Sequence, residues 1–375
     1  MRKVLLRFVF DDYWQFQPLG NELLVGAGWL VLFWLAVSLI TGLVTWKQTR
    51  DMRQVASSGM FWLVIPAFVM MIPLLQLPLA QTGVPIFGYG VMLFVGFTSA
   101  TVLAARRIVR IGLSPDVIWD LMLWVLIPGL LGARINFLLA EGRGLLATKQ
   151  GLLEKLKTFV ALWDGGIVFY GCVIGGTLGL LAFCRRRGIH PVPLCDVIAP
   201  SLFIGEGFGR IGCFLYGCCF GRACSLPWAV QFPSDSLTFE VLSKRHPPGV
   251  EGLKTIPLHP TQIYSALSAF LLAGLLSWYF RRRPWDGAVL GLAWILYPIN
   301  RFVLETFRED TARLEMLGLR LPLGQWVSLG LLASGIPAMW LFARQNRLTT
   351  ADSRASAGAA PRLNGAAGRE DRQVG

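Results

Sequence analysis

The chain has 375 residues, of which 54% are hydrophobic and only 15% charged, and it carries a formal net charge of +13. A soluble globular domain carries about 25% charged residues. The positive excess falls in short clusters between long apolar runs, which argues for membrane topology and against nucleic acid as a partner.

The first twelve residues, MRKVLLRFVFDD, contain acids and lack a small-residue cleavage site, so no cleaved targeting segment is expected. A spanning helix needs about 20 mostly apolar residues. Residues 23–46 form the first such run. Residues 54–105 hold no charge and are long enough for two spans, broken at Gln81, Thr82, Gly83, Val84 and Pro85. Further runs cover residues 117–140, 165–184, 197–216, 260–280, 287–307 and 321–343. The fold class expected is therefore all-α, a polytopic membrane protein of about nine transmembrane helices. Basic clusters follow every odd-numbered run: Lys47, Arg50 and Arg53; Arg106, Arg107 and Arg110; Arg185, Arg186 and Arg187; Arg281, Arg282 and Arg283; Arg344 and Arg347. Those ends are expected in the cytoplasm, with the N-terminus outside and the C-terminus inside. The long loops 141–164 and 217–259 then fall outside, and the tail beyond about residue 349, rich in Ala, Gly, Arg and Ser, has a disordered composition.

Arg134, Glu206, Arg210, Arg301 and Glu305 lie inside these runs. Each costs roughly 2.5–3.5 kcal/mol at a helix centre on insertion scales, so five of them mark a function rather than an accident. The topology places Arg134, Arg210, Arg301 and Glu305, together with Tyr89 and Tyr170, at one depth near the outer face. Tyr297, Arg301 and Glu305 are spaced i, i+4, i+8 and share one helix face. Interfacial snorkelling and structural ion pairs are the plain alternative. The arginines outnumber the nearby acids, so the set reads as an anion site, and at an outer leaflet the obvious anion is a phospholipid phosphate.

Glycines crowd two places: Gly165 and Gly166 with Gly171, Gly175 and Gly176, and Gly205, Gly207, Gly209 and Gly212. They serve helix packing or a close approach of backbone to ligand. The second stretch resembles GxGxxG but follows no strand of a βαβ unit, so it is no dinucleotide fingerprint. The seven cysteines include four, Cys213, Cys218, Cys219 and Cys224, at the outer end of one run. Metal ligation lacks a CxxC pair, a disulfide is compatible with an oxidising outer side, and small apolar packing is the third option. No histidine adjoins them, and His259, which opens HPTQIY, reads first as a hydrogen-bonded cap. No metal and no cofactor are expected.

Taken together, Tyr89-Gly90, GARIN at 132–136, WDGG at 163–166 with FYG at 169–171, GRIG at 209–212 with Gly221, HPTQIY at 259–264, and Tyr297 through NRFVLETFRED resemble the prolipoprotein diacylglyceryl transferase family. The resemblance covers residues 85–343. It implies a seven-helix core preceded by an extension with two extra helices at 1–84 and followed by a cytoplasmic tail at 344–375. It also implies a multi-pass protein of the bacterial cytoplasmic (inner) membrane. The reaction implied moves the diacylglyceryl group of phosphatidylglycerol to the lipobox cysteine of prolipoprotein signal peptides, releasing glycerol phosphate. By motif position Arg210, Arg301 and Tyr170 would be catalytic. Arg210, Tyr89, Arg134, Gly165, Gly171, Gly221, Tyr297 and Glu305 would bind phosphatidylglycerol. Two departures stand out. Tyr170 occupies a place where many members carry histidine, and Cys213 and Cys218 replace an asparagine and an acid. They motivate a second reading, a catalytically altered paralogue that binds or moves phospholipid, and a third, a cysteine-dependent membrane redox protein.

Overall fold

A computed structural model describes residues 4–10, 13–19, 22–49, 83–147, 169–245, 250–251, 254–309, 313–316 and 318–358. The second expected span and the WDGG motif with Gly165 lie outside these residues. Nine α-helices occur among the described residues: α1 (Ala27–Thr49), α2 (Gly88–Ile108), α3 (Asp116–Ala147), α4 (Phe169–Arg187), α5 (Pro191–Tyr216), α6 (Leu237–Arg245), α7 (Thr261–Phe280), α8 (Ala288–Glu305) and α9 (Leu323–Gly358). Among the described residues, six segments are long and apolar enough to cross a membrane: Gly88–Ile111, Asp116–Leu139, Pro191–Tyr216, Thr261–Phe280, Ala288–Glu305 and Leu323–Arg344. Their apolar side chains stay outward: Leu271 is 74% exposed, Phe94 71% and Leu202 66%. Such surface needs lipid to cover it, and the chain is a polytopic membrane protein.

The chain is mostly helical rather than all helical. Strands β1 (Val4–Val9), β2 (Phe16–Leu19), β3 (Glu22–Gly26) and β4 (Val84–Phe87) form one sheet in the order β2-β3-β1-β4. β1 runs parallel to β3, pairing Leu6 with Leu23, and antiparallel to β4, pairing Phe8 with Val84. Residues 22–26 therefore pair as a strand instead of opening the first helix, which starts at Ala27. Arg7 Nε donates to Glu22 Oε2 at 2.8 Å across the sheet, and Phe10 and Ala27 are buried beneath Tyr13, Leu30, Val31 and Val84. Two short hairpins follow later, β5 (Val250–Glu251) with β6 (Lys254–Thr255) and β7 (Arg313–Met316) with β8 (Leu319–Pro322).

The chain divides into two compact units. The first comprises Met1–Leu123, Pro200–Leu275 and Asn300–Trp326. Inside it the glycine-rich stretch of α5 is used for packing. A Cβ on Gly96 of α2 would stand 2.9 Å from Phe208 Cβ, one on Gly207 2.5 Å from the Phe270 ring, and one on Gly212 3.0 Å from the Tyr89 ring. The first two distances are shorter than a real Cβ contact and the third is tight, so the absent Cβ atoms let α2 and α7 come close to α5. A buried cluster of Phe220, Phe232, Leu242 and Leu258 anchors the segment after α5.

The second unit comprises Trp124–Ala199, Leu276–Ile299 and Val327–Gly375. There α3 and α4 meet backbone to backbone. Cβ atoms on Gly171, Gly175 and Gly179 would collide with the carbonyl oxygens of Gly132, Pro128 and Trp124, respectively. The fourfold spacing on both helices makes this a small-residue seam. Asp196, fully buried, accepts the backbone N–H groups of Gly287 and Leu290 at 2.8 Å each, and Arg283 Nη1 lies 3.3 Å from its Oδ2. One carboxylate thereby satisfies donors that the start of α8 leaves without intrahelical partners.

Candidate active site

The first unit holds the greater part of the charged set. On α5, Arg210 Nη2 lies 3.7 Å from Glu206 Oε1, four residues away. On α8, Arg301 Nη2 lies 2.8 Å from Glu305 Oε2, again four residues apart. Glu206 is within electrostatic reach of both Arg210 and Arg301, so the two pairs form one cluster. Arg308, just beyond α8, acts electrostatically on Arg210 and on Cys219. Among the described residues the cluster gathers three guanidinium groups, Arg210, Arg301 and Arg308, with the carboxylates Glu206 and Glu305, a set of donors suited to an anion. The Glu305 carboxylate is buried, and a Cβ on Gly324 would stand 2.8 Å from its Cδ. Tyr89 lies at the same place: its ring packs on Gly212 and sits 6.3 Å from that of Tyr216.

Gly221 enters through the backbone. Its N–H donates to the His259 carbonyl at 3.2 Å, and it forms an antiparallel bridge with Arg308. A Cβ there would stand 2.6 Å from the His259 oxygen and 2.7 Å from Thr261 Cγ2. His259 is part of an aromatic group: its Nδ1 is 3.3 Å from the Tyr264 hydroxyl, which accepts from Trp228 Nε1 at 2.7 Å, and its ring stacks edge-on against Phe307.

Arg134, Tyr170, Gly171 and Tyr297 belong to the second unit. Arg134 is 3% exposed, and its guanidinium sits 5.1 Å from the Phe137 ring centre. Gly171 packs on Gly132, and Tyr170 stands beside it in the first turn of α4. Tyr297 lies half-buried on α8, one turn before Arg301.

Sequence reasoning left Glu206 and Arg308 out of its site residues. Both were visible as charges within or beside apolar runs, but what joins them to the rest, Glu206 to Arg301 and Arg308 to Arg210, crosses from one helix to another. It also missed how the cysteines converge. Hydrogen bonds from the Cys213 and Cys218 thiols, with Arg308 and Arg210 nearby, hold the Cys219 thiol well below the usual thiol range.

The apolar spans and the charged pairs carried on two of them define a polytopic membrane protein with ionisable groups inside its helices. The family model described as prolipoprotein diacylglyceryl transferase matches residues 78–341. Similar proteins include the phosphatidylglycerol–prolipoprotein diacylglyceryl transferase of Clostridium tetani, 32% identical over 61% of this chain and 83% of the relative. That of Azotobacter vinelandii is 34% identical over 69% and 91%, and the second such transferase of Clostridium perfringens 32% over 68% and 90%. The chain belongs to the prolipoprotein diacylglyceryl transferase family.

Proposed function

We propose that the chain transfers the diacylglyceryl group of phosphatidylglycerol to the lipobox cysteine of prolipoprotein signal peptides, at the outer leaflet of the bacterial cytoplasmic membrane. The N-terminus faces outward and the C-terminus inward, as the basic clusters after alternate spans require. Residues 85–343 perform the reaction, 1–84 are an N-terminal extension with two extra transmembrane helices, and 344–375 form a cytoplasmic tail.

The observation that carries this reading is the joined pair of ion pairs, Arg210 with Glu206 and Arg301 with Glu305. During transfer the thiol sulfur bonds to the glyceryl carbon, the carbon–oxygen bond breaks, and its electron pair leaves on the phosphate. Charge grows on that phosphate as the bond breaks. Arg210 and Arg301, already positioned by carboxylates, meet the growing charge without reorganising. By the motifs they occupy, Tyr89, Arg134, Gly165, Gly171, Gly221, Tyr297 and Glu305 are assigned to binding phosphatidylglycerol. A phenol is a poor base at neutral pH, so Tyr170 serves as a hydrogen-bond donor to phosphate or ester.

The test uses purified chain in phosphatidylglycerol vesicles with a lipobox peptide, followed by mass spectrometry. The expected product is the peptide carrying one diacylglyceryl group, lost in Arg210→Ala protein that remains monodisperse. No product where an established family member works would sink the transferase reading. Lipid binding or movement without product would establish the altered paralogue instead.

A further inference from the structure

Three thiols of the described chain converge on one point. Cys213 stands in the last turn of α5 and Cys218 and Cys219 follow it in the next turn, with all three Sγ atoms within 4.8 Å of one another. None is in a disulfide. The Cys218 thiol also donates to the Cys213 carbonyl at 3.8 Å, which folds the turn back onto the end of α5.

The turn that presents them is held from outside. Cys219 has φ of 59°, the one positive value of a non-glycine residue among those described. An L-residue rarely adopts that conformation, which costs about 1–3 kcal/mol and persists where surrounding contacts over-determine it. The contacts are present on three successive carbonyls. Gly217 O accepts from Thr238 Oγ1 at 2.8 Å, Cys218 O from Gln262 Nε2 at 2.6 Å, and Cys219 O from Thr261 Oγ1 at 2.7 Å. The three donor residues are at most 1% exposed. Apolar packing alone needs neither a left-handed cysteine nor three sulfurs in mutual contact. A disulfide would use two thiols and strand the third.

We propose that Cys213, Cys218 and Cys219 bind a zinc ion as a three-thiolate site whose fourth position takes the acceptor thiol of the peptide. The second half of this proposal rests on the transferase reading above. Three protein ligands and one open position are the pattern of a reactive zinc, and Zn–S bonds of about 2.3 Å in tetrahedral geometry set sulfurs roughly 3.8 Å apart. The cluster closes on an ion by side-chain shifts of about 1 Å or less. The in-line spacing C-x4-C-C hid this from the sequence, where the missing CxxC pair argued against metal. Zinc with three thiolates carries one net negative charge, which Arg308 and Arg210 offset. Binding at the open position releases the acceptor thiol's proton to solvent. Its sulfur then bonds to the glyceryl carbon while the carbon–oxygen bond breaks and the electron pair leaves with the phosphate. That supplies the deprotonation for which Tyr170 is unsuited.

The experiment measures metal in the full-length protein, purified in detergent with added zinc and then desalted. About one zinc per chain is expected, lost in the Cys213→Ser/Cys218→Ser/Cys219→Ser variant and retained in Cys224→Ser. Cobalt-loaded wild-type protein, which needs no variant to fold, should give thiolate charge-transfer bands. Those bands should intensify with the lipobox peptide but not with its Cys→Ser version. No zinc in wild type, zinc retained by the triple variant, or a disulfide among the three by mass spectrometry of non-reduced protein each overturns the metal site. Stoichiometric zinc with cobalt bands that ignore the peptide thiol overturns the open-position assignment. If wild type binds zinc but modifies no peptide, the transferase reading fails while the metal result stands. If the zinc-free triple variant transfers at the wild-type rate, the transferase stands and the acceptor role of the zinc falls.

Discussion

Arg301 and Glu305 meet at 2.8 Å one turn apart on α8, and their exposure is unequal: 21% for the arginine side chain and 1% for the carboxylate. The partly open guanidinium can still reach a ligand, while the carboxylate beneath it is fixed against Gly324. Removing one member of a buried pair leaves an uncompensated charge and costs about 3–5 kcal/mol, whereas replacing both with apolar groups is far less costly. Glu305→Leu should therefore lower the thermal unfolding midpoint in detergent strongly. Arg301→Leu/Glu305→Leu should recover most of that loss. Both proteins should fail to modify the lipobox peptide, which separates the role of the pair in stability from its role in transfer. A double variant that keeps wild-type transfer would remove Arg301 from the reaction.

The seam between α3 and α4 makes a sharper distinction between neighbouring glycines. A Cβ on Gly175 collides with the Pro128 carbonyl, whereas one on Gly176 stands 3.4 Å from Val125 Cγ1, an ordinary contact. Overpacking of this kind costs about 1–3 kcal/mol. Gly175→Ala should lower the unfolding midpoint and Gly176→Ala should leave it near wild type. Equal behaviour of the two variants would mean that this backbone contact does not set the helix separation.

Asp196 offers a comparable test of structure without chemistry. Its carboxylate accepts from Gly287 N and Leu290 N and pairs with Arg283, with no part in the charged cluster on α5 and α8 proposed above. Asp196→Ala leaves those donors unmet at a cost of about 1–3 kcal/mol, read as a lower midpoint. Asp196→Asn, which keeps one acceptor oxygen, should recover part of it. The transfer rate per folded molecule should stay at the wild-type value in both, measured with the same peptide assay after removal of aggregate.

Much of this organisation was legible in the chain. Residues 117–140, 197–216, 260–280 and 287–307 were read as spans from length and lack of charge, and the corresponding helical spans are Asp116–Leu139, Pro191–Tyr216, Thr261–Phe280 and Ala288–Glu305. Hydropathy works here because in lipid the backbone must satisfy itself along each helix. The N-terminal sheet was illegible because its pairing is not local: Val84–Phe87 joins a strand at Val4–Val9, and Pro18 and Pro85 blur the alternation that marks strands. The i, i+4 spacing of Arg301 and Glu305 announced their pair, since one helix fixes both. Reaching Glu206 from Arg301 requires packing of α5 and α8, which no spacing encodes. The cysteine cluster was hidden for a related reason: it depends on a left-handed backbone at Cys219 that three buried side chains from elsewhere in the chain impose.

Gly221 connects these elements and is the place where one added methyl group should tell most. Its N–H is bonded to His259 O, it bridges Arg308, and the next residue, Arg222, donates its backbone N–H to Phe307 O at 2.9 Å. A Cβ would press on His259 O, His259 Cβ and Thr261 Cγ2, all within 2.7 Å. None of these is the free end of a long side chain, and Thr261 is tied by its hydroxyl to Cys219 O. Relief must come from moving the 219–222 backbone, and with it the position of Arg308 relative to Arg210. A displacement of about 1 Å at a reacting centre costs up to about a hundredfold in rate. Gly221→Ala is therefore expected to lower kcat about tenfold or more, with a modest loss of thermal stability, and Gly221→Val to do worse on both measures. The discriminating control is Gly274→Ala, which meets no atom within 4 Å on α7 and should leave both unchanged. If Gly221→Ala transfers within twofold of wild type at saturating lipid, the close approach at this glycine does not position the arginines, and the lipid site must be organised from α5 and α8 alone.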